Sequence, residues 1–199
     1  RSQTIQLDSA PVFAMRVSYA GELGWELHMP VWQLISIYES LMEFGQPLGL
    51  RDFGTRAFNS MRMEKMYRAY GAEFTEEISA LEAGMDRFLD LSRDFIGSDN
   101  MRQRQSDSLA LQLAYLVFDD EVPAECFGNE AVFANGDHTG IITGGAYGYR
   151  VQKSLAFAYL KPEHCNAGQA LTVETSIGTR HCHVELDAAS NPNNSLLRS

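Results

Sequence analysis

A glutamate set between glycines, Gly21-Glu22-Leu23-Gly24, and an arginine in Gly49-Leu50-Arg51-Asp52 are the residues whose types and positions point most directly to chemistry. A carboxylate fixed on a glycine-flanked turn can accept two parallel hydrogen bonds, one from a ring N–H and one from an exocyclic amine, as on the edge of an amino-pyrimidinone. An arginine at the entrance to a helix can clamp a ligand carboxylate in bidentate fashion. Tyr19, just ahead of Glu22, can stack on a flat heterocycle. Each has an ordinary counterpart. A turn glutamate beside glycine is commonly solvated, Arg51 can form a surface salt bridge with Asp52 or a nearby glutamate, and a strand tyrosine is commonly half-buried core.

Other groupings carry less. His181 and His183 share one face of a strand, but no paired motif supplies further ligands, so no metal is expected. His164-Cys165 has nothing around it to make a nucleophile pair, and no Gly-x-Ser-x-Gly elbow occurs. Gly136-Asp-His-Thr-Gly140 and Gly144-Gly-Ala-Tyr-Gly148 have neither the Gly-x-Gly-x-x-Gly order nor a Lys-Ser/Thr ending, and read as tight hairpin turns rather than phosphate loops. Cys126, Cys165 and Cys182 are odd in number and lack Cys-x-x-Cys spacing, which reads as reduced thiols in a cytosol-like compartment.

The elements that must position these residues follow from periodicity. Residues 11–19 alternate, with Phe13, Met15, Val17 and Tyr19 on one face. Trp25, Leu27 and Met29 alternate again after the Gly21–Gly24 turn, giving strand–turn–strand. Val31, Leu34, Ile35, Tyr38, Leu41 and Met42 form one apolar helical stripe, ended by Gly45 and Pro47. A second helix is expected from Asp52 as N-cap, with Phe53, Ala57 and Met61 inside and Arg56, Arg62, Lys65 and Arg68 outside. The fold class is α+β: a small α/β sandwich subdomain over residues 1–97, a polar linker at 98–108, and a second subdomain over 109–199. In the last, short apolar runs at Leu109–Phe118, Ala131–Ala134, Gly140–Thr143, Leu155–Leu160, Ala170–Thr175 and Cys182–Leu186 read as an antiparallel barrel or sandwich. The tail from Ala188 to Ser199 is expected to be loose or a strap.

Of 199 residues, 45% are hydrophobic and 21% charged, enough for sizeable cores. Lys plus Arg number 16 against 26 Asp plus Glu, a formal charge of −10, which argues against general binding to nucleic acid or anionic membrane. No apolar run reaches the ~18–20 residues of a membrane span. Arg1-Ser-Gln-Thr has no initiating methionine and no signal architecture, so the chain is expected to be a piece of something longer.

Tyr19-Ala-Gly-Glu-Leu-Gly-Trp-Glu-Leu27 resembles the Tyr-Thr-Gly-Glu-x-Gly-x-Glu segment of the aminomethyltransferase family, the glycine-cleavage T-protein and its relatives. Gly49-Leu-Arg-Asp-Phe-Gly-Thr-Arg-Ala-Phe-Asn-Ser-Met-Arg-Met-Glu-Lys65 resembles its Gly-x-Arg-Asp helix. Leu81-Glu-Ala-Gly84, Asp94-Phe-Ile-Gly97, Gly140-Ile-Ile-Thr-Gly-Gly-Ala-Tyr-Gly-Tyr149 and Lys153–Leu160 follow in the family's order. Trp25 and the Met-Arg-Met-Glu-Lys wording are most like the folate-binding halves of sarcosine and dimethylglycine dehydrogenases.

The resemblance implies three subdomains around a central tetrahydrofolate site, of which this chain holds the second and third, the last a barrel. It implies that Glu22 holds the pterin, that Arg51 and Tyr19 lie at the folate site, and, more loosely, that Arg198 joins them. No catalytic residue falls in this chain, because the family's aspartate lies upstream, as does any FAD domain. The implied activity belongs to the parent enzyme and the chain alone is expected to be inactive. That activity is capture of a methyl-derived carbon from an N-methylated amine (sarcosine- or dimethylglycine-like) as 5,10-methylene-tetrahydrofolate. A glycine-cleavage-type aminomethyltransferase and a non-catalytic folate-binding or scaffold module are the alternatives. Expected partners are folate, a small N-methylated amine and an upstream domain or subunit, with no nucleic acid and no membrane. The expected location is bacterial cytoplasm, or the mitochondrial matrix in a eukaryote.

Overall fold

The computed structural model describes residues 1–7, 10–123 and 125–198, so Ser199 of the expected tail lies outside the described residues. It is α+β and divides into two compact units. One comprises Arg1–Arg62 with the C-terminal residues from Asn193, the other Met63–Pro192.

In the first unit, strands β1 (Ser2–Leu7), β2 (Ala10–Met15) and β3 (Glu26–His28) form an antiparallel sheet in that order. Ile5 stands opposite Val12, and Phe13 opposite His28. β2 stops at Met15, short of the expected Tyr19, because the Val17 N–H turns back onto the Met15 carbonyl at 3.0 Å. The face of β2 that packs inward carries Ala10, Val12 and Ala14, not Phe13, which is exposed beside the His28 ring.

Helix α1 (Leu34–Gly45) follows a 3₁₀ turn over Val31–Gln33 and ends in another over Gln46–Leu48, where Pro47 cannot continue the α-helical ladder. It buries Ile37 with Ala10 and Val12, and Ile5, Leu7, Leu27 and Met29 pack on that cluster. The expected apolar stripe is therefore not the buried face: Val31, Leu34, Ile35, Tyr38 and Leu41 are exposed.

Helix α2 (Thr55–Glu64) starts three residues later than expected. The Asp52 carboxylate is not its cap. It accepts the Tyr38 hydroxyl at 2.6 Å, and the ladder opens with Phe58 N–H to Gly54. Nor do the cations all point outward. Arg62 and Lys65 are buried. Arg68 donates to the carbonyls of Ala83 at 3.1 Å and Met66 at 3.2 Å, with its guanidinium 5.8 Å from the Phe157 ring. A cation that reaches carbonyls and a π-face keeps its partners while leaving water.

In the second unit, residues expected as a linker contain helix α3 (Ser98–Ser106), polar nearly throughout and burying only Ser98. Strands β4 (Gln112–Phe118), β5 (Ala131–Ala134), β6 (Asp137–Gly148), β7 (Lys153–Leu160), β8 (Ala170–Thr175) and β9 (Gly178–Glu185) close an antiparallel barrel in the order β4-β7-β6-β5-β8-β9. Leu116, Phe118, Val132, Ile142, Leu160, Val173 and Val184 fill it. Tyr115, Leu155, Phe157 and Tyr159 form a second cluster with Met63. β4 and β7 are thus buried on both faces, which is why they read as continuous apolar runs.

Of the glycine motifs expected as hairpin turns, Gly136–Gly140 contributes only Gly136, which turns the chain with Asn135, both with positive φ, while Asp137–Gly140 already belong to β6. Gly144–Gly148 makes no turn: it lies within β6, beside a register shift between Ile142 and Gly144. Those glycines allow close approach. A Cβ at Gly145 would sit 2.8 Å from the Leu155 carbonyl oxygen, and one at Gly140 only 1.9 Å from that of Tyr159. After β9, the chain runs through buried Ser190 to a short helix α4 (Ser195–Arg198).

Candidate functional site

The turn that carries Glu22 is built by its two glycines for different reasons. Gly21 has φ +78°, a left-handed conformation that a side chain would strain. Gly24 is crowded: a Cβ there would stand 2.9 Å from the Ser18 Cβ and 3.1 Å from the Val17 oxygen. The chain can fold back on itself only without that carbon. Ser18 adds a bond inside the turn, its hydroxyl accepting the Ala20 N–H at 3.3 Å. Glu22, half-buried at the tip, is presented on a backbone with little freedom.

Tyr19, on the same turn, packs its ring 5.5 Å from that of Phe58 on α2, tilted by 40°. Beside the turn lies a cavity of about 310 Å³ lined by Arg16, Val17, Ser18, Gly24 and Leu197. That is near the lower end of the ~300–1,000 Å³ typical of small-molecule sites.

Arg51 follows Gly49, which takes the left-handed conformation (φ +88°) that ends the 3₁₀ turn. Arg51 is exposed. Its sequence neighbour Asp52 is engaged by Tyr38, and among the described residues Arg51 has no ion pair. Arg198 is exposed at the end of α4, and its neighbour Leu197 forms part of the cavity wall.

The structure therefore puts Tyr19 and Glu22 on one turn, Arg51 on the loop before the helix that Tyr19 touches, and Arg198 next to a cavity residue. Arg16, Ser18 and Leu197 are additions. Ser18 had a local signal, since it is a residue that Gly24 must approach across the turn. Leu197 had none, because its role comes from chain distant in sequence. These side chains are a carboxylate on a constrained turn, an aromatic ring packed on Phe58, and an exposed guanidinium with no ion pair among the described residues.

The other candidates resolve differently. His183 lies on β9 with Nδ1 2.6 Å from Asp119 and Nε2 3.2 Å from Glu185, so carboxylates engage both its nitrogens. No group of His, Cys, Asp and Glu among the described residues is arranged to hold a metal ion. All three cysteines are free thiols. Burial pushes Cys126 and Cys182 up to about 12 and Cys165 up to about 11, which leaves them poor nucleophiles. No helix among the described residues is long and apolar enough to cross a membrane.

Residues 1–93 match the family model described as GCVT N-terminal domain, and residues 112–188 that described as glycine cleavage T-protein C-terminal barrel domain. Human mitochondrial dimethylglycine dehydrogenase is 39% identical over 87% of this chain and 20% of its own length. Human mitochondrial sarcosine dehydrogenase is 35% identical over 75% of this chain and 16% of its length. The mitochondrial pyruvate dehydrogenase phosphatase regulatory subunit of Mus musculus is 27% identical over 88% of this chain and 20% of its length. The chain thus spans about a fifth or less of these relatives. The solved aminomethyltransferase T of the glycine cleavage system from Bartonella henselae superposes with a TM-score of 0.81 over 93% of this chain and 50% of that one, at 18% identity, which shows a shared fold.

Proposed function

Because the chain belongs to the glycine-cleavage T-protein family, we propose that it is the tetrahydrofolate-binding portion of a one-carbon-transfer enzyme acting on an N-methylated amine of the sarcosine or dimethylglycine kind. The observation that carries this reading is the Gly21–Gly24 turn, which holds Glu22 on a constrained backbone and gives Gly24 to a cavity wall, in a chain 39% identical to a dimethylglycine dehydrogenase.

In this reading Glu22 accepts the two parallel N–H donors of the pterin edge, which fixes the ring's orientation as well as its affinity. Tyr19 gives the ring a flat apolar neighbour, and Arg51 pairs with a carboxylate of the glutamate tail. Tetrahydrofolate, when bound, would supply the nucleophilic nitrogen that takes up the one-carbon unit. A flavin domain elsewhere in the parent enzyme would first oxidise the N-methyl group by two electrons to an iminium, and the product would be 5,10-methylene-tetrahydrofolate. The residues of this chain bind and orient. We assign them no proton transfer, and their contribution to rate is positional. In this reading residues 1–97 make up the folate-binding subdomain and 109–199 the barrel subdomain, although the residues from Asn193 cluster with the first, and a eukaryotic form works in the mitochondrial matrix.

The test is a calorimetric titration with 5-formyl-tetrahydrofolate, wild type against Glu22→Ala. Loss of a charge-assisted pair worth ~1.5–3 kcal/mol should weaken binding at least about tenfold. An affinity within about twofold of wild type removes Glu22 from the pterin site. A second reading, a non-catalytic regulatory module, is favoured by the similarity to a phosphatase regulatory subunit. It would show as folate binding without methylene transfer in the parent protein.

A further inference from the structure

Helix α3 is polar nearly throughout and buries only Ser98, so core packing does not account for its face. Asn100, Gln103 and Arg104 share one side of it at helical spacing. With Asp107 just past the helix, they line a cavity of about 520 Å³ whose other residues include Glu82, Ser108 and Leu109. The whole lining lies within the unit Met63–Pro192. Glu82 is held there by a capping box with Ser79. Its Oε2 accepts the Ser79 N–H at 2.9 Å and the Ser79 hydroxyl at 2.5 Å, while its own N–H donates back to Ser79 Oγ at 3.3 Å. The same oxygen accepts Arg104 Nη1 at 3.2 Å, and the Glu82 carbonyl accepts the Leu113 N–H of β4 at 2.8 Å. All the donors to this carboxylate fall on Oε2. Oε1 has no hydrogen bond among the described residues, in a side chain only 14% exposed. A carboxylate oxygen so far withdrawn from water lowers its free energy by gaining a donor. Arg104 is half-used in the same way: Nε and Nη2, the paired donors that suit a carboxylate, have no hydrogen bond among the described residues.

We propose that this cavity binds a polar α-amino acid as its zwitterion, with the ammonium on Glu82 Oε1 and the carboxylate on the Nε–Nη2 edge of Arg104. The two wall charges are joined by a hydrogen bond and so are neighbours, as the ammonium and carboxylate of an α-amino acid are neighbours. A simple anion on Arg104 would meet Glu82 and Asp107, and a simple cation on Glu82 would meet Arg104; like charges so placed are costly. The zwitterion satisfies both. The volume is more than glycine fills and lies within the ~300–1,000 Å³ of small-molecule sites, so the ligand carries a side chain. Asn100 and Gln103 each offer amide donors and an acceptor, which a side-chain amide can return, and Leu109 gives methylenes an apolar neighbour. Glutamine has all these features. The site shares no residue with the folate reading and does not rest on it.

The test is a titration of L-glutamine, to millimolar concentration, into the ¹⁵N-labelled chain, followed by amide chemical shifts. It is repeated with glutaramate, which lacks the ammonium, and 4-aminobutanamide, which lacks the carboxylate. L-Glutamine should shift the amides around Glu82 and from Asn100 to Ala110. Each analogue should bind at least about tenfold more weakly, the loss of one charge-assisted bond. Arg104→Ala should weaken glutamine at least about tenfold and leave 4-aminobutanamide, which has no carboxylate to lose, no weaker than before. Glu82→Gln, which keeps an acceptor for Ser79, should weaken glutamine and 4-aminobutanamide but not glutaramate. These contrasts separate a ligand contact from a general loss of structure, which would weaken all three compounds together. If Glu82→Gln does not fold, Arg104→Ala, at an exposed position, decides by its own contrast. No shift with millimolar glutamine overturns the proposal, as do shifts that spare these residues. An analogue that binds as tightly as glutamine also overturns it, since the cavity would then take a simple cation or a simple anion.

Discussion

In the barrel, Leu116, Phe118, Leu155, Phe157 and Leu160 are fully buried, while in the sheet-bearing unit Val31, Trp32, Ile35, Phe44 and Leu48 are each more than two-thirds exposed. The barrel closes its hydrogen-bond ladder, so it has no open edge, and it packs apolar clusters on both faces of β4 and β7. The sheet has three strands and a core of Ala10, Val12 and Ile37 with partly buried neighbours. The candidate folate-binding residues all lie in this lightly packed unit. Binding elements are generally drawn from the less stable parts of a structure, and rigid cores elsewhere carry the folding free energy. Glu22 shows how such a region can still be exact: its turn is constrained by two glycines rather than by core packing.

The sharpest way to break the comparison is Gly140→Val. With the position of a Cβ only 1.9 Å from the Tyr159 oxygen, β6 cannot stay paired with β7. We expect a loss of more than ~4 kcal/mol, the range of severe core or backbone lesions, seen as collapse of the urea midpoint in far-UV circular dichroism. A retained midpoint would show that the barrel is not the stability reserve described here.

A matched pair of truncations comes next. Phe157→Ala in the barrel should cost about 3–5 kcal/mol. Ile35→Ala, on the exposed stripe of α1, should stay within ~0.5 kcal/mol. If the two cost the same in denaturant titrations, the stripe is packed in solution and the contrast between the units fails.

The same contrast explains what could be read from the residues and what could not. Strands β4 and β7 were legible because a core on both faces demands unbroken apolar runs, and Ala131–Ala134 and Ala170–Thr175, buried on alternate residues and bounded by turns, coincide with β5 and β8. The stripe of α1 was legible as a helix but not as to its face: periodicity shows that one side is apolar, not that this side is covered. Helix α3 was missed because its residues are polar all round, leaving no stripe to detect. Lys65 and Arg68 read as outer-face cations because a sequence cannot show that backbone carbonyls will come to meet them. In the site, the Glu22 turn was visible from its glycine spacing, whereas Leu197 becomes a wall residue only through the path of the tail.

A smaller effect separates the units by pH. All three cysteines lie in the unit that contains the barrel, and burial raises Cys126 and Cys182 from 9.0 to about 12. Thiols raised on folding are neutral in the native state while the unfolded chain ionises. Their stabilisation is therefore whole below pH 9 and is lost as pH rises from 9 toward 12. By pH 10 we expect about 1 kcal/mol of loss per buried thiol, measured by urea titration, with Cys126→Ala flattening the slope. Hydrogen exchange should show the loosening in β4 and β9 ahead of β2. A loss that begins in the sheet would contradict the assignment to the thiols.

The smallest expected effect bears on the turn itself. Gly24→Ala adds one carbon where Ser18 Cβ stands 2.9 Å and the Val17 oxygen 3.1 Å away. One of those neighbours is backbone, so the turn must open by a few tenths of an ångström rather than rotate a side chain aside. Gly24 lies outside the apolar clusters of the core, and global stability should change by less than ~1 kcal/mol. The Glu22 carboxylate, however, would tilt relative to the cavity wall, and paired hydrogen bonds weaken steeply with angle. We expect about a fivefold loss of affinity for 5-formyl-tetrahydrofolate, or ~1 kcal/mol, with the urea midpoint nearly unmoved. Loss of stability without loss of affinity would mean the glycine is needed for folding and not for aiming Glu22. In that case the site draws its precision from packing after all, and the two units differ less than their burial suggests.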